Sequence, residues 1–227
     1  MLTRKSWATL VRHRPGRSRH GMSKPPSRWL SDRVAGVVLA GGKNTRMGGR
    51  DKAFLQLDGE VVVARILGVL RACFPQVVVV SNTPEKYAAF GVDVTHDELR
   101  GYGPLGGLHA ALGRVRAPYA FVVACDMPFL RPEPIGFLVS QLGDHEAVVP
   151  RWGGDIEPLH GVYAASLRPR IAAMLADGPR GMRDFLPRVR VHYVPEAVMA
   201  RVEGAEESFR NVNTPEEAAR YDVLLAG

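Results

Sequence analysis

The sequence predicts an α/β fold of three layers, a mostly parallel sheet with a small antiparallel excursion. Three observations carry that reading. Short runs that are apolar on both faces recur along the chain, as strands buried between two layers of helices require. Segments of helical pattern separate these runs, which is the βαβ rhythm. The rhythm then breaks after Pro150.

Taken in order, the first strand is Val34-Ala-Gly-Val-Val-Leu-Ala40, and a helix is predicted over 61–73. Next come a strand at Val77–Val80, a helix over 84–90, a strand at Val92–Val94 and a helix over 105–115. The run Tyr119–Ala124, a helix over 132–142 and the run Glu146–Val149 complete the regular part. Trp152-Gly-Gly-Asp155 reads as a hairpin turn, followed by a strand from Leu159 to Tyr163 and a helix from Ser166 to Asp177, and this is the antiparallel excursion. Thr214-Pro-Glu-Glu217 opens a last helix, with Thr as N-cap, Pro in the first turn and Glu217 closing a capping box.

Composition supports one core: 46% of the 227 residues are hydrophobic and 23% charged. The formal charge of +7 suggests a polyanionic partner until its distribution is considered. Residues 1–33 hold nine Lys and Arg against the single acid Asp32, a net +8, which leaves residues 34–227 at −1. The folded body is therefore 34–227, and its near-neutral charge argues against nucleic acid as a partner. The leader 1–33 is Arg-, Ser- and Pro-rich without periodic apolar positions, so it is expected to be disordered. An organelle transit peptide, an RNA- or membrane-binding arm and a functionless extension ahead of Met22 all fit it, and the last is favoured. Cys73 and Cys125 lie in apolar runs with neither disulfide nor zinc spacing, which suits a reducing, cytoplasmic setting. No apolar run reaches the roughly 18 residues of a membrane span.

Ligands of open parallel sheets bind beyond the carboxyl ends of the strands. The first strand runs into Leu39-Ala-Gly-Gly-Lys-Asn-Thr-Arg-Met-Gly-Gly-Arg-Asp-Lys52. Its glycines let backbone N–H groups wrap an anion while Arg46 and Lys52 supply countercharge, so it reads as a phosphate cradle. It is not a Walker loop, because neither Gly41 nor Gly42 has a glycine five positions on. Asp126 follows a buried strand directly, where a carboxylate can hold Mg²⁺ beside phosphates or cap a helix. Asp97 follows the third strand and precedes Gly101-Tyr-Gly-Pro-Leu-Gly-Gly107. That stretch contains a literal G-x-G-x-x-G, but His96–Arg100 separate it from the strand and Pro104 stiffens it, so a dinucleotide fingerprint is disfavoured.

Leu39-Ala-Gly-Gly-x-x-x-Arg46-Met-Gly, Asp51-Lys52, Ser81-Asn82, Asp97, Gly103-Pro-Leu-x-Gly107, Cys125-Asp126-Met-Pro128 and Asn211-Val-Asn-Thr-Pro-Glu216 follow one another in a succession that resembles the molybdenum cofactor guanylyltransferases. These form the MobA-type branch of the nucleotidyltransferases, and the resemblance spans residues 34 to about 222. It implies a Rossmann-like fold and transfer of GMP from GTP to the terminal phosphate of molybdenum-molybdopterin, with Mg²⁺ as cofactor. It assigns Lys52, Arg46 and Asp126 to catalysis, with Asp126 on the metal. Leu39, Ala40, Gly41, Gly42, Asn82 and Asp97 would join Lys52 and Asp126 in binding the nucleotide, and Asn211 and Asn213 would face the acceptor. Arg180, Arg183 and Arg188 are further candidates for the acceptor's phosphate, and molybdoenzyme maturation proteins would be partners. One segment departs from the pattern: Glu157-Pro-Leu-His-Gly-Val-Tyr163 has a form also seen in relatives that transfer CMP. A cytidylyltransferase, a sugar- or polyol-phosphate nucleotidyltransferase and a non-catalytic binding module are the alternatives.

Overall fold

The computed structural model describes residues 32–41, 52–99, 101–178, 180–212 and 217. Strand β1 (Val34–Leu39) is buried at every position and leads to a single 3₁₀ turn at Lys52–Phe54. A two-stranded hairpin, β2 (Gln56–Leu57) and β3 (Glu60–Val61), precedes helix α1 (Val62–Cys73). Strand β4 (Val77–Val80), a 3₁₀ helix at Pro84–Phe90 and strand β5 (Asp93–Thr95) follow. Then come α2 (Gly103–Arg114), β6 (Tyr119–Ala124), α3 (Pro132–Ser140) and β7 (Ala147–Trp152). The chain turns back through β8 (Asp155–Ile156) and β9 (His160–Ala164) into α4 (Arg168–Ala176) and α5 (Met182–Phe185). It continues through β10 (Val191–Val194) to two single-turn helices, α6 (Glu196–Met199) and α7 (Ala205–Ser208).

The main sheet runs β10-β7-β9-β6-β1-β4-β5, with β8 paired to β7 at one end. β1 is parallel to both β4 and β6, β4 to β5, and β10 to β7. β9 alone on this path runs against its neighbours β6 and β7. The excursion expected after Pro150 therefore lies inside the sheet. All five β9 residues are buried, and such a strand is stable only where both edges and both faces are covered.

Hydrophobic clusters cover both faces of the sheet. α1 contributes Val62, Val63, Ile66, Leu67 and Leu70 at helical spacing to one cluster, where they meet Phe74, Phe121 and the α3 residues Ile135 and Leu138. α2 and α4 supply Leu105, Leu108, Leu112, Ile171 and Leu175 to the other. The predicted 84–90 helix is 3₁₀, and β5 sits one residue later than the apolar pattern suggested. β10 was missed because Val191-His-Tyr-Val194 is half-buried and carries no strong apolar run. The leader reading falls almost entirely on residues 1–31, and the closing helix begins at Thr214; both lie outside the described residues. Residue 33 already belongs to the body, since the Tyr119 N–H donates to the Arg33 carbonyl at 3.1 Å.

Candidate active site

β1 is where the strand order reverses, with β4 and β5 added on one side and β6 on the other. At such a point adjoining loops part and leave a crevice beyond the strand ends. A cavity of about 500 Å³ opens there, lined by Leu39, Gly41, Ser81, Asn82, Asp97 and the start of α2 from Gly103 to Gly107. That size suits a nucleoside. Its walls are fixed by backbone bonds between strand ends. The Ala40 N–H donates to the Val80 carbonyl at 2.9 Å, the Ser81 N–H to Thr95 at 2.8 Å and the Cys125 N–H to Leu39 at 3.2 Å. The Ala40 N–H is thus spent within the sheet.

Asp97 is held from both sides. Its N–H donates to Asn82 Oδ1 at 3.3 Å, and its Oδ1 accepts the Leu99 N–H at 3.0 Å. α2 packs so closely that a Cβ on Gly106 would lie 3.0 Å from both Asp97 carboxylate oxygens and 2.9 Å from the Leu99 carbonyl. Gly101 and Gly103 have φ of +93° and +60°, and Pro104 sits in the first turn of α2. The glycine run is therefore a close-approach device for docking α2 on the Asp97 loop, in place of the dinucleotide turn its spelling suggested.

Lys52 and Asp126 meet on the other side of β1. Lys52 Nζ lies 3.5 Å from Asp126 Oδ2, with the two side chains 28% and 21% exposed. A partly exposed ion pair of this kind contributes little to stability. The Asp126 carbonyl accepts the Val212 N–H at 2.8 Å, which brings exposed Asn211 beside it. The structure thus gathers Leu39, Ala40, Gly41, Lys52, Asn82, Asp97, Asp126 and Asn211 at one end of the sheet. Gly42, Arg46 and Asn213 lie outside the described residues. Arg180 and Arg188 are exposed, while Arg183 is ion-paired with Asp155.

Glu157 is the group that motif reading did not place among the carboxylates of the site. It is half-buried, and burial first, then the charges of Asp155 and Asp126, raise its pKa, with Arg183 opposing. Asp155 is lowered instead, by the hydrogen bonds from Arg183 and from the Ile156 N–H. Behind them His160 is fully buried, edge-on to Phe121 and 4.4 Å from the Phe209 ring, with neither ring nitrogen hydrogen-bonded. Burial pushes its pKa down to about 3, so the ring is neutral. Among the described residues no group of three or more His, Cys, Asp and Glu could hold a metal by themselves. Asp126 nevertheless fits a hard cation, because Mg²⁺ commonly takes one or two carboxylates and completes its shell with water and phosphate oxygens.

A mostly parallel sheet with a nucleoside-sized cavity beyond its switch point has the features of a nucleotide-binding α/β protein. Comparison with known proteins agrees. The family model described as the MobA-like NTP transferase domain matches residues 36–193. The probable molybdenum cofactor guanylyltransferase of Pelotomaculum thermopropionicum is 37% identical over 84% of this chain and 93% of its own. The molybdenum cofactor guanylyltransferase of Desulfosudis oleivorans is 33% identical over 86% of this chain and 96% of its own. The crystal structure of molybdopterin-guanine dinucleotide biosynthesis protein A from Archaeoglobus fulgidus superposes with a TM-score of 0.72 at 28% identity, covering 85% of this chain and 98% of that one. The chain belongs to the MobA-like NTP transferase family, in its molybdenum cofactor guanylyltransferase branch, and is a nucleotidyltransferase. Enzymes of this family commonly use a divalent metal.

Proposed function

We propose that the protein transfers GMP from GTP to the terminal phosphate of molybdenum-loaded molybdopterin, giving the guanine dinucleotide form of the cofactor and pyrophosphate. The observation that carries this reading is the Lys52–Asp126 pair, standing at 3.5 Å across β1 from the cavity at the switch point. An oxygen of the acceptor phosphate attacks the α-phosphorus while the bond from that phosphorus to the departing pyrophosphate breaks. The attacking oxygen is already ionised, so the protein needs no general base and works by positioning and neutralising charge.

Asp126 would hold Mg²⁺, which supplies positive charge against the triphosphate. Lys52 neutralises the oxygens of the leaving pyrophosphate, and Arg46 joins it by family resemblance. Gly41 and Gly42 offer backbone N–H groups to the phosphates. Asp97, fixed by Asn82 and by its own turn, accepts hydrogen bonds from ribose or base, and Asn211 and Asn213 face the acceptor. We place the protein in the cytoplasm on the sequence setting of Cys73 and Cys125, which lie in apolar runs with neither disulfide nor zinc spacing.

Guanine rests on the relatives' names, and the Glu157–Tyr163 segment is the feature that favours cytosine. The test is the rise in melting temperature with each nucleoside triphosphate and Mg²⁺, since a ligand of the native state stabilises according to its concentration over its Kd. GTP is expected to raise it most. A larger effect of CTP would move the protein to cytidylyl transfer.

A further inference from the structure

We propose that Phe209 is a positioning residue for Asp126: held between Trp152 and His160, it seats the strap of residues 204–212, and the strap fixes the turn that carries Asp126; this rests on the reading of Asp126 as the residue that holds the metal. Asp126 needs outside support because it stands past the end of β6. The bonds that tie that strand end into the sheet run from the Ala124 N–H to the Leu159 carbonyl at 3.1 Å and from the Cys125 N–H to Leu39 at 3.2 Å. From Asp126 to the start of α3 the chain has no regular structure, and the strap grips it at both ends. The Val212 N–H donates to the Asp126 carbonyl at 2.8 Å, and the Arg131 N–H donates to the Ser208 hydroxyl at 3.0 Å. Ser208 is fully buried, so this second bond forms only while the strap lies on the turn. A Cβ on Gly204 would lie 2.8 Å from Arg131 Cγ, which shows how closely the two segments approach.

One ring holds the strap in place. Its buried side chains are Ala205, Ser208, Phe209 and Val212, and of these Phe209 is the largest. The Phe209 ring stacks on Trp152, with centroids 4.7 Å apart and planes at 17°, and meets the His160 ring at 4.4 Å. Trp152 ends β7 and His160 begins β9, so the ring is a peg set into the antiparallel part of the sheet. Stacked aromatic rings keep a preferred offset and angle as well as filling space, whereas an aliphatic side chain fills the slot without fixing that angle. Exposed Asn211 rides between Phe209 and the Val212 bond. Loss of the ring therefore displaces Asp126 and the acceptor-side Asn211 together. The nucleoside cavity across β1 is lined by Leu39, Ser81, Asn82 and Asp97, outside the strap, and keeps its shape.

The test titrates Mn²⁺ into the full-length protein saturated with a GTP analogue that has a methylene between its α- and β-phosphorus, and measures the analogue's own Kd without metal. The proteins compared are the parent, Phe209→Leu, Phe209→Tyr, Trp152→Leu and Asp126→Asn. Groups that orient metal ligands commonly carry 10- to 100-fold in affinity, so Phe209→Leu is expected to weaken Mn²⁺ binding about tenfold with the metal-free Kd of the analogue unchanged. Phe209→Tyr, which keeps the ring, should recover most of that loss. Trp152→Leu removes the stack from the other side and leaves the strap's own sequence intact, so it should weaken Mn²⁺ in the same direction, and it decides the matter where Phe209→Leu does not fold. Parent-like Mn²⁺ binding by folded Phe209→Leu with a lowered melting temperature overturns the inference and leaves Phe209 a packing residue. Parent-like Mn²⁺ binding by Trp152→Leu overturns it as well. Equal weakening of Mn²⁺ and of the metal-free analogue also overturns it, because the whole site is then disturbed. Parent-like Mn²⁺ binding by Asp126→Asn overturns instead the reading of Asp126 on which the inference rests.

Discussion

His160 gives the fold a definite acid sensitivity. Its ring is neutral in the folded protein, with a pKa of about 3 against 6.5 in an unfolded chain, because burial between Phe121 and Phe209 leaves its nitrogens without partners. Below pH 6.5 the unfolded state binds a proton that the native state refuses, so stability falls as pH falls, down to about pH 3. Each pH unit in that window costs about 1.4 kcal/mol. Between pH 6.5 and 5 the loss from this one side chain is about 2 kcal/mol, or about 4–8 °C in melting temperature for a domain of this size. His160→Phe keeps an aromatic ring against Phe209 and Phe121 and removes the titration. Urea unfolding at pH 7 and pH 5 should therefore show the parent losing about 2 kcal/mol more than the variant. His109, whose pKa is lowered mainly by burial, acts with the same sign in both proteins and cancels in the difference. Equal losses in parent and variant would refute the assignment of a buried, neutral His160.

Other outcomes follow from the site. Asp126→Asn should abolish metal-dependent pyrophosphate release while circular dichroism stays native, and Lys52→Ala should lower turnover on the order of 10² or more if it stabilises developing charge. Gly106→Ala would gain up to about 1 kcal/mol of helix propensity. Its Cβ at 2.9 Å from the Leu99 carbonyl and 3.0 Å from the Asp97 oxygens must however push the loop away. The nucleotide's KM should rise severalfold with the acceptor's KM unchanged, as steady-state kinetics would show. A chain starting at Met22 should match the full chain in melting temperature and GTP binding, since the basic leader stands apart from the near-neutral body in charge and composition.

The parallel strands were legible because each is a short run apolar on both faces; Val77–Val80 and Tyr119–Ala124 appear with the bounds the pattern gives. Lys52 and Asp126 were found through separate motifs, and their 3.5 Å approach comes from tertiary structure, 74 positions apart in the chain. Three things could not be read locally. The antiparallel excursion was legible from the Gly153-Gly154 turn, but not that its strand β9 lies inside the sheet between β6 and β7, which only tertiary pairing sets. The use of Gly106 against Asp97 is a packing fact, and the same letters spelled a dinucleotide motif. Glu157 sat in a segment noticed for its family spelling, and its half-buried place within reach of the charges of Asp155, Asp126 and Arg183 is a tertiary fact.

The decisive measurement is product analysis after incubation of the purified protein with GTP, Mg²⁺ and molybdenum-loaded molybdopterin. Pyrophosphate and the molybdopterin guanine dinucleotide should form in equal amounts, with neither formed when the acceptor is left out. Release of pyrophosphate with a sugar 1-phosphate, and none with molybdopterin, would contradict guanylyl transfer to the cofactor.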